Sequence, residues 1–140
     1  MDRVFLDANV LFSAAYRSES GLARLWKLTE ARLLTSRYAL EEARRNCQDA
    51  EQRQRLASLI QSLEILDDPP LDSRLPELQQ LPQKDRPILH AALAARATHL
   101  LTGHRRAFGH LFGQEVRGVE VLKPAAYLAE VDLGDRASEG

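Results

Sequence analysis

Three acidic residues stand where an acid is costly or oddly placed. Asp7 follows the apolar run Val4-Phe5-Leu6 and precedes a second apolar stretch from Val10 to Ala15. A charged carboxylate in such a setting costs several kcal/mol to bury unless it is paired or bound to a metal. Asp7 is therefore a metal ligand, half of a buried ion pair, or a helix cap. Glu41 and Glu42 are adjacent, and helical geometry separates them. The small and apolar positions Ala39, Leu40, Ala43, Cys47 and Ala50 share one direction. At about 100° per residue Glu42 falls about 110° from that direction and Glu41 about 150°. Glu42 borders the buried face and can reach inward, whereas Glu41 faces water. For Glu42 the competing role is an ordinary solvated helix charge. Asp85 stands two residues before Pro87 at the start of an Ala-rich apolar helix, and there it is a ligand, an N-cap, or both.

Other polar residues offer less. Arg105, Arg106 and Arg117 lie near His104 and His110, opposed only by Glu115. This small basic patch can hold phosphates, or it is a solvated loop. The histidines at 90, 99, 104 and 110 have no zinc spacing, and the single Cys47 gives them no thiol pair. His90 reads as a satisfied core or interface histidine. Neither a Gly-rich dinucleotide motif nor a P-loop occurs, so no nucleotide cofactor is expected.

The elements that must position these groups alternate between strand and helix. Val4-Phe5-Leu6, Leu33-Leu34-Thr35, His99-Leu100-Leu101-Thr102 and Val119-Glu120-Val121-Leu122 read as strands, and Ile65-Leu66 as a strand or the approach to a turn. A turn at 18–21 opens a helix carrying Leu22, Leu25 and Trp26. Ser36 is the N-cap of a helix to about Asn46, and Leu56, Leu59, Ile60 and Leu63 mark another. The Pro-broken stretch from Asp68 to Pro82 has room for a turn or two of helix over 74–80. Pro124 begins a short helix around Tyr127. This alternation predicts an α/β domain with a mostly parallel sheet, whose ligands bind beyond the carboxyl ends of the strands. Three strands end there on polar groups, namely Asp7, Ser36 and the pair Gly103-His104.

The chain has 140 residues, which predicts one domain over 1–132, with 133–140 as a disordered tail. Hydrophobic residues make up 44% and charged residues 28%, enough apolar surface to exclude disorder for most of the chain. One cysteine forms no internal bridge and fits a reducing cytoplasm. No apolar run approaches the roughly 20 residues of a membrane span. With 19 basic against 20 acidic residues, a strongly basic nucleic-acid coat is excluded, though a local patch is not.

Taken together, four segments resemble the PIN-domain ribonucleases, and especially the small bacterial VapC-like toxins of toxin–antitoxin pairs. They are Val4-Phe5-Leu6-Asp7-Ala8-Asn9-Val10-Leu11, Thr35-Ser36-Arg37-Tyr38-Ala39-Leu40-Glu41-Glu42, Lys84-Asp85-Arg86-Pro87-Ile88-Leu89, and the stretch from His99 to Gly109. Their order covers the chain from about Arg3 to Leu128. The family's acids fall on Asp7, Glu42 and Asp85. The fourth segment departs from the pattern, with Thr102-Gly103-His104 where relatives usually read Thr-Gly-Asp.

The resemblance implies a PIN-like three-layer fold, its central mostly parallel sheet of four or five strands flanked by helices. It also implies a metal-dependent endoribonuclease that hydrolyses RNA phosphodiester bonds, and so the toxin of a toxin–antitoxin pair. Asp7, Glu42 and Asp85 would hold Mg²⁺ or Mn²⁺, which favour open oxygen sites. Asn9, Ser36 and Thr102 would orient the acids, and Arg105 or Arg106 would guide the RNA backbone. His104 is either a neutral ligand to the metal or a fixed positive charge that replaces part of it. The expected partners are RNA, an antitoxin protein and a second copy of the chain in a homodimer, in the cytoplasm and without a membrane. The alternative is a catalytically impaired PIN-like module that binds RNA or a protein. A phosphotransfer domain with Asp7 as acceptor is the third reading, and Asn9 stands where it needs a second acid.

Overall fold

The computed structural model of the chain describes residues 1–72 and 74–139, with side chains described as far as residue 134. Six strands form one sheet: β1 (Asp2–Leu6), β2 (Ala31–Ser36), β3 (Glu64–Leu66), β4 (His99–Leu101), β5 (Glu115–Val116) and β6 (Val119–Leu122), in the order β3-β2-β1-β4-β6-β5. The first four of these and β6 pair in parallel, and only the two-residue β5 runs antiparallel against β6. The sheet thus has six strands, one more than the upper end of the expected four or five. The extra strand is an edge hairpin turning through Arg117 and Gly118, both at positive φ, and is too short to show a period of its own.

Parallel strands covered on both faces read as continuous apolar runs, and this explains the strand sequences. Val4, Phe5, Leu6, Leu34, Leu100 and Leu101 are wholly buried. At about 1.5–3 kcal/mol for each large side chain, these strand centres supply much of the driving force for folding. Helices flank the sheet: α1 (Ala8–Ala15), α2 (Arg37–Asn46), α3 (Ala50–Ile60), α4 (Pro76–Gln79), α5 (Arg86–Ala94), α6 (Arg105–Phe108) and α7 (Pro124–Glu139). Right-handed crossovers put α1, α2 and α3 on one face and α5 on the other. In keeping with this, α1 packs against α2 and α3, and α5 against β4 and α4.

Three expectations about elements differ from the structure. The segment Gly21–Lys27 is a 3₁₀ helix, with Leu25 buried and Trp26 donating to the carbonyl of Leu59. The stretch after β4, expected as a basic loop, winds into α6 and a 3₁₀ turn over Gly109–Leu111. Finally, α7 runs from Pro124 to Glu139 and is longer than the short helix expected around Tyr127, while Gly140 lies outside the described residues. Its first turns pack through Tyr127 and Leu128, and extending a formed helix costs far less than nucleating one. No helix among the described residues is long and apolar enough to cross a membrane.

Candidate active site

Strand order reverses between β1 and β4: the chain steps from β1 outward to β2 and β3, then returns to the other side of β1. Such a switch point leaves a crevice at the carboxyl ends of the two strands. There the Asp7 N–H donates to the Leu101 carbonyl at 3.1 Å, which locks the two strand ends together. A cleft of about 370 Å³ opens above, lined by Asp7, Glu42, Asp85, Asn9, Gly103 and His104 with Ala8, Ser13, Asn46 and Lys84.

Asp7 is 3% exposed and has several partners. Its Oδ1 accepts the Ala8 N–H at 2.6 Å, and its Oδ2 accepts from the Thr102 hydroxyl at 2.8 Å and the Asn9 amide at 3.1 Å. It is the N-cap residue of α1, so capping and presentation to the cleft coexist in one carboxylate with about four lone-pair sites. Burial, the largest cause, raises its pKa to about 6, and the Asp85 and Glu42 charges push the same way.

Thr102 and Asn9 form the orienting layer. The Thr102 hydroxyl donates to Asp7 and accepts the His104 N–H at 3.1 Å, while Asn9 Oδ1 accepts the Gly103 N–H at 2.8 Å. Gly103 serves close approach here, since a Cβ would lie 3.3 Å from Asn9 Oδ1. Ser36 touches the site less directly. Its hydroxyl accepts the Ala39 N–H at 3.2 Å, which fixes the start of α2 and so the height of Glu42.

Glu42 and Glu41 divide as helical geometry predicts. Glu42 is half-buried on the cleft wall, while Glu41 is exposed and accepts from Arg44 at 2.9 Å. Asp85 is buried but makes no side-chain cap bond to α5, although it occupies the N-cap position. Its Oδ1 lies 3.3 Å from His104 Nδ1, and its Oδ2 is buried with no hydrogen-bond partner. A buried carboxylate oxygen without a donor calls for a partner, and a bound cation is one that the cleft could supply. The donor set of three carboxylates and an open cleft fits Mg²⁺ or Mn²⁺.

Arg105 and Arg106 are exposed on α6, directly after His104 at the rim. Arg117 leaves the expected basic patch, because it pairs with Glu77 at 2.9 Å. His90 is buried and accepts the Asp72 N–H, as a satisfied core histidine does.

Four residues at the site carried no role in the sequence reading. Ser13 and Asn46 each lie one helical turn beyond a recognised residue, at i+4 from Asn9 and Glu42, and that period is the signal that finds them. Lys84 lines the cleft, and the Tyr38 hydroxyl donates to its carbonyl at 2.6 Å. Burial and the Glu42 carboxylate hold the Tyr38 hydroxyl above its ordinary pKa. No local pattern links Tyr38 to residue 84.

No family model matches the chain, and no curated protein matches it. Among solved structures it is similar to a chain in the crystal structure of VapBC2 from Rickettsia felis bound to a DNA fragment from their promoter. The two share 17% identity and a TM-score of 0.65 over 86% of this chain and 98% of that one. It is also similar to Mycobacterium tuberculosis VapC20, a Sarcin-Ricin loop cleaving toxin, at 14% identity and a TM-score of 0.49, over 69% of this chain and 86% of that one. At 17% identity the first likeness is one of fold, and the central, mostly parallel six-strand sheet flanked by helices is a PIN-like, VapC-like fold.

Proposed function

We propose that this chain is a divalent-metal-dependent endoribonuclease that hydrolyses RNA phosphodiester bonds and acts as the toxin of a toxin–antitoxin pair. The observation that carries this reading is the gathering of Asp7, Glu42 and Asp85 in one cleft at the switch point, with Asp85 Oδ2 buried and unpartnered. The likeness in fold to a chain of VapBC2 supports the toxin assignment. RNA, an antitoxin protein and a second copy of the chain are the partners that go with it, in the cytoplasm.

Asp7, Glu42 and Asp85 would hold Mg²⁺ or Mn²⁺, directly or through water, with His104 as a further ligand. The ion would supply Lewis-acid stabilisation of the phosphoryl charge and activation of water for in-line displacement. The chain's own residues do the positioning. Thr102 and Asn9 hold Asp7 with one face toward the cleft, Ser36 sets Glu42 through α2, and Tyr38 fixes the backbone before Asp85. Lys84 in the cleft and Arg105 and Arg106 at its rim give the phosphate backbone cationic contacts.

The His104–Asp85 contact favours a second reading. Were the imidazole to carry a proton, its 3.3 Å contact with Asp85 would take over part of the charge balance that a cation otherwise provides and leave an impaired PIN-like module that binds RNA or a protein.

Cleavage of mixed structured and single-stranded RNAs with Mg²⁺ or Mn²⁺ separates the two. Cutting by the wild type that disappears in Asp7→Asn supports the nuclease. Cutting by His104→Asp alone supports the impaired module. Absence of cutting in both, together with no Mn²⁺ binding that depends on Asp7, overturns the metal-dependent reading.

A further inference from the structure

The amino ends of β4 and β6, opposite the acidic cleft, carry a second group of ionisable side chains. His99 opens β4, Glu120 lies beside it on β6 in register, and Glu130 approaches from α7. One ligand atom from each of the three residues lies within 4.8 Å of the others. His99 Nε2 is 3.5 Å from Glu120 Oε2. This is long for a charge-assisted hydrogen bond, yet close to the roughly 3.3 Å between two donors bound to one tetrahedral ion.

The far side of the His99 ring is held by the protein. Its Nδ1 lies 2.8 Å from the Thr98 hydroxyl and 4.0 Å from Asp2 Oδ2. The Tyr127 ring packs edge-on against it, and the Tyr127 hydroxyl donates to Asp2 at 2.7 Å. One ring nitrogen is therefore engaged by partners that fix the plane, while the other faces two carboxylates, as in metal-binding histidines. His99 is only 13% exposed at its side chain, so this orientation is set by packing. Glu120 and Glu130 are crowded together beside the imidazole, a repulsion that a divalent cation relieves.

We propose that His99, Glu120 and Glu130 form a second metal site that takes a first-row transition ion such as Zn²⁺ and pins α7 to the β4–β6 edge. One imidazole with carboxylates is a donor set for Zn²⁺ or its neighbours rather than for Mg²⁺. The site lies at the amino ends of the strands, about 10 Å along β4 from the acidic cleft, and its existence does not depend on the nuclease reading. The spacing of the histidines along the chain holds no zinc motif because the three ligands come from three separate elements.

The test is a Co²⁺ titration of the full chain followed by visible absorption, with Zn²⁺ as competitor. The expected result is intense absorption that Zn²⁺ displaces and that saturates at one equivalent of Co²⁺ per chain in Asp7→Asn, whose acidic cleft has lost a ligand. The signal is retained in Asp7→Asn, weakened about tenfold or more in Glu130→Gln, and lost in His99→Gln. Because His99 packs on Tyr127, the exposed Glu130→Gln change carries the test wherever His99→Gln fails to fold. Absence of the absorption, its survival at full affinity in Glu130→Gln, or its disappearance in Asp7→Asn each overturns the site.

Discussion

At the scale of single residues, Asp7 is the point where burial and charge conflict most. Its pKa of about 6 against an ordinary 3.8 means that the folded chain holds a proton there which the unfolded chain releases earlier. The metal-free protein therefore gains stability from this group at low pH and loses it as pH rises through the window from 3.8 to about 6. Above that window the penalty is about 3 kcal/mol. Asp7→Asn should remove the slope and make the chelated protein more stable at pH 8, by up to about 3 kcal/mol. Urea unfolding with EDTA at pH 5 and pH 8 measures this, and an unchanged slope in Asp7→Asn would assign it to another group. Much of this conflict was legible in the sequence, because an acid between two apolar runs needs a compensating partner. Asp85 was less so. Its place before Pro87 suits a cap, and only the fold reveals that its side chain turns to the cleft instead.

At the scale of elements, α2 decides how well Glu42 meets Asp7 and Asp85. Ser36 caps it, and the turn after β3 braces it through an Arg37–Asp67 ion pair and through Asp68, which accepts the Tyr38 N–H at 2.9 Å. Ser36→Ala should cost about 1 kcal/mol of stability, read by urea unfolding. On the proposed nuclease reading, the loss of RNA cleavage should appear in kcat more than in KM, since Glu42 is displaced while the cationic residues at the rim are untouched. Tyr38→Phe removes the hydroxyl that holds the Lys84 carbonyl, so it should lower Mn²⁺ affinity about tenfold, read by calorimetry, with little effect on folding. Ser36 shows what sequence patterning reaches: a cap after a strand is a local signal. The hydroxyl of Tyr38 meeting residue 84 is a non-local contact with no periodicity to announce it. The same limit explains β5 and α6, which are too short to establish a period, whereas β1, β2, β4 and β6 show their burial in unbroken apolar runs.

At the scale of the whole molecule, the sheet separates two clusters of acids by chemistry as well as by distance. The carboxyl ends of β1 and β4 gather oxygen donors around an unpartnered carboxylate oxygen, while the amino ends of β4 and β6 add an imidazole held in a fixed plane. If both clusters bind ions, each binding event stabilises the fold by mass action, and distant sites add independently. An ion at 100 times its dissociation constant contributes about 2.7 kcal/mol, which for a chain of this length raises Tm by roughly 8 °C. Mg²⁺ should raise the Tm of the wild type and of Glu130→Gln but not of Asp7→Asn. Zn²⁺ applied on top of saturating Mg²⁺ should raise the wild type and Asp7→Asn further, and Glu130→Gln far less. Calorimetric melting of the three proteins under the three conditions reads both sites at once. A Mg²⁺ gain that survives in Asp7→Asn would remove the ion from the acidic cleft, and a Zn²⁺ gain lost in Asp7→Asn would place both ions in that one cleft. The pattern is informative because the two clusters share strand β4 but no side chain, so a variant in either leaves the other's donors in place.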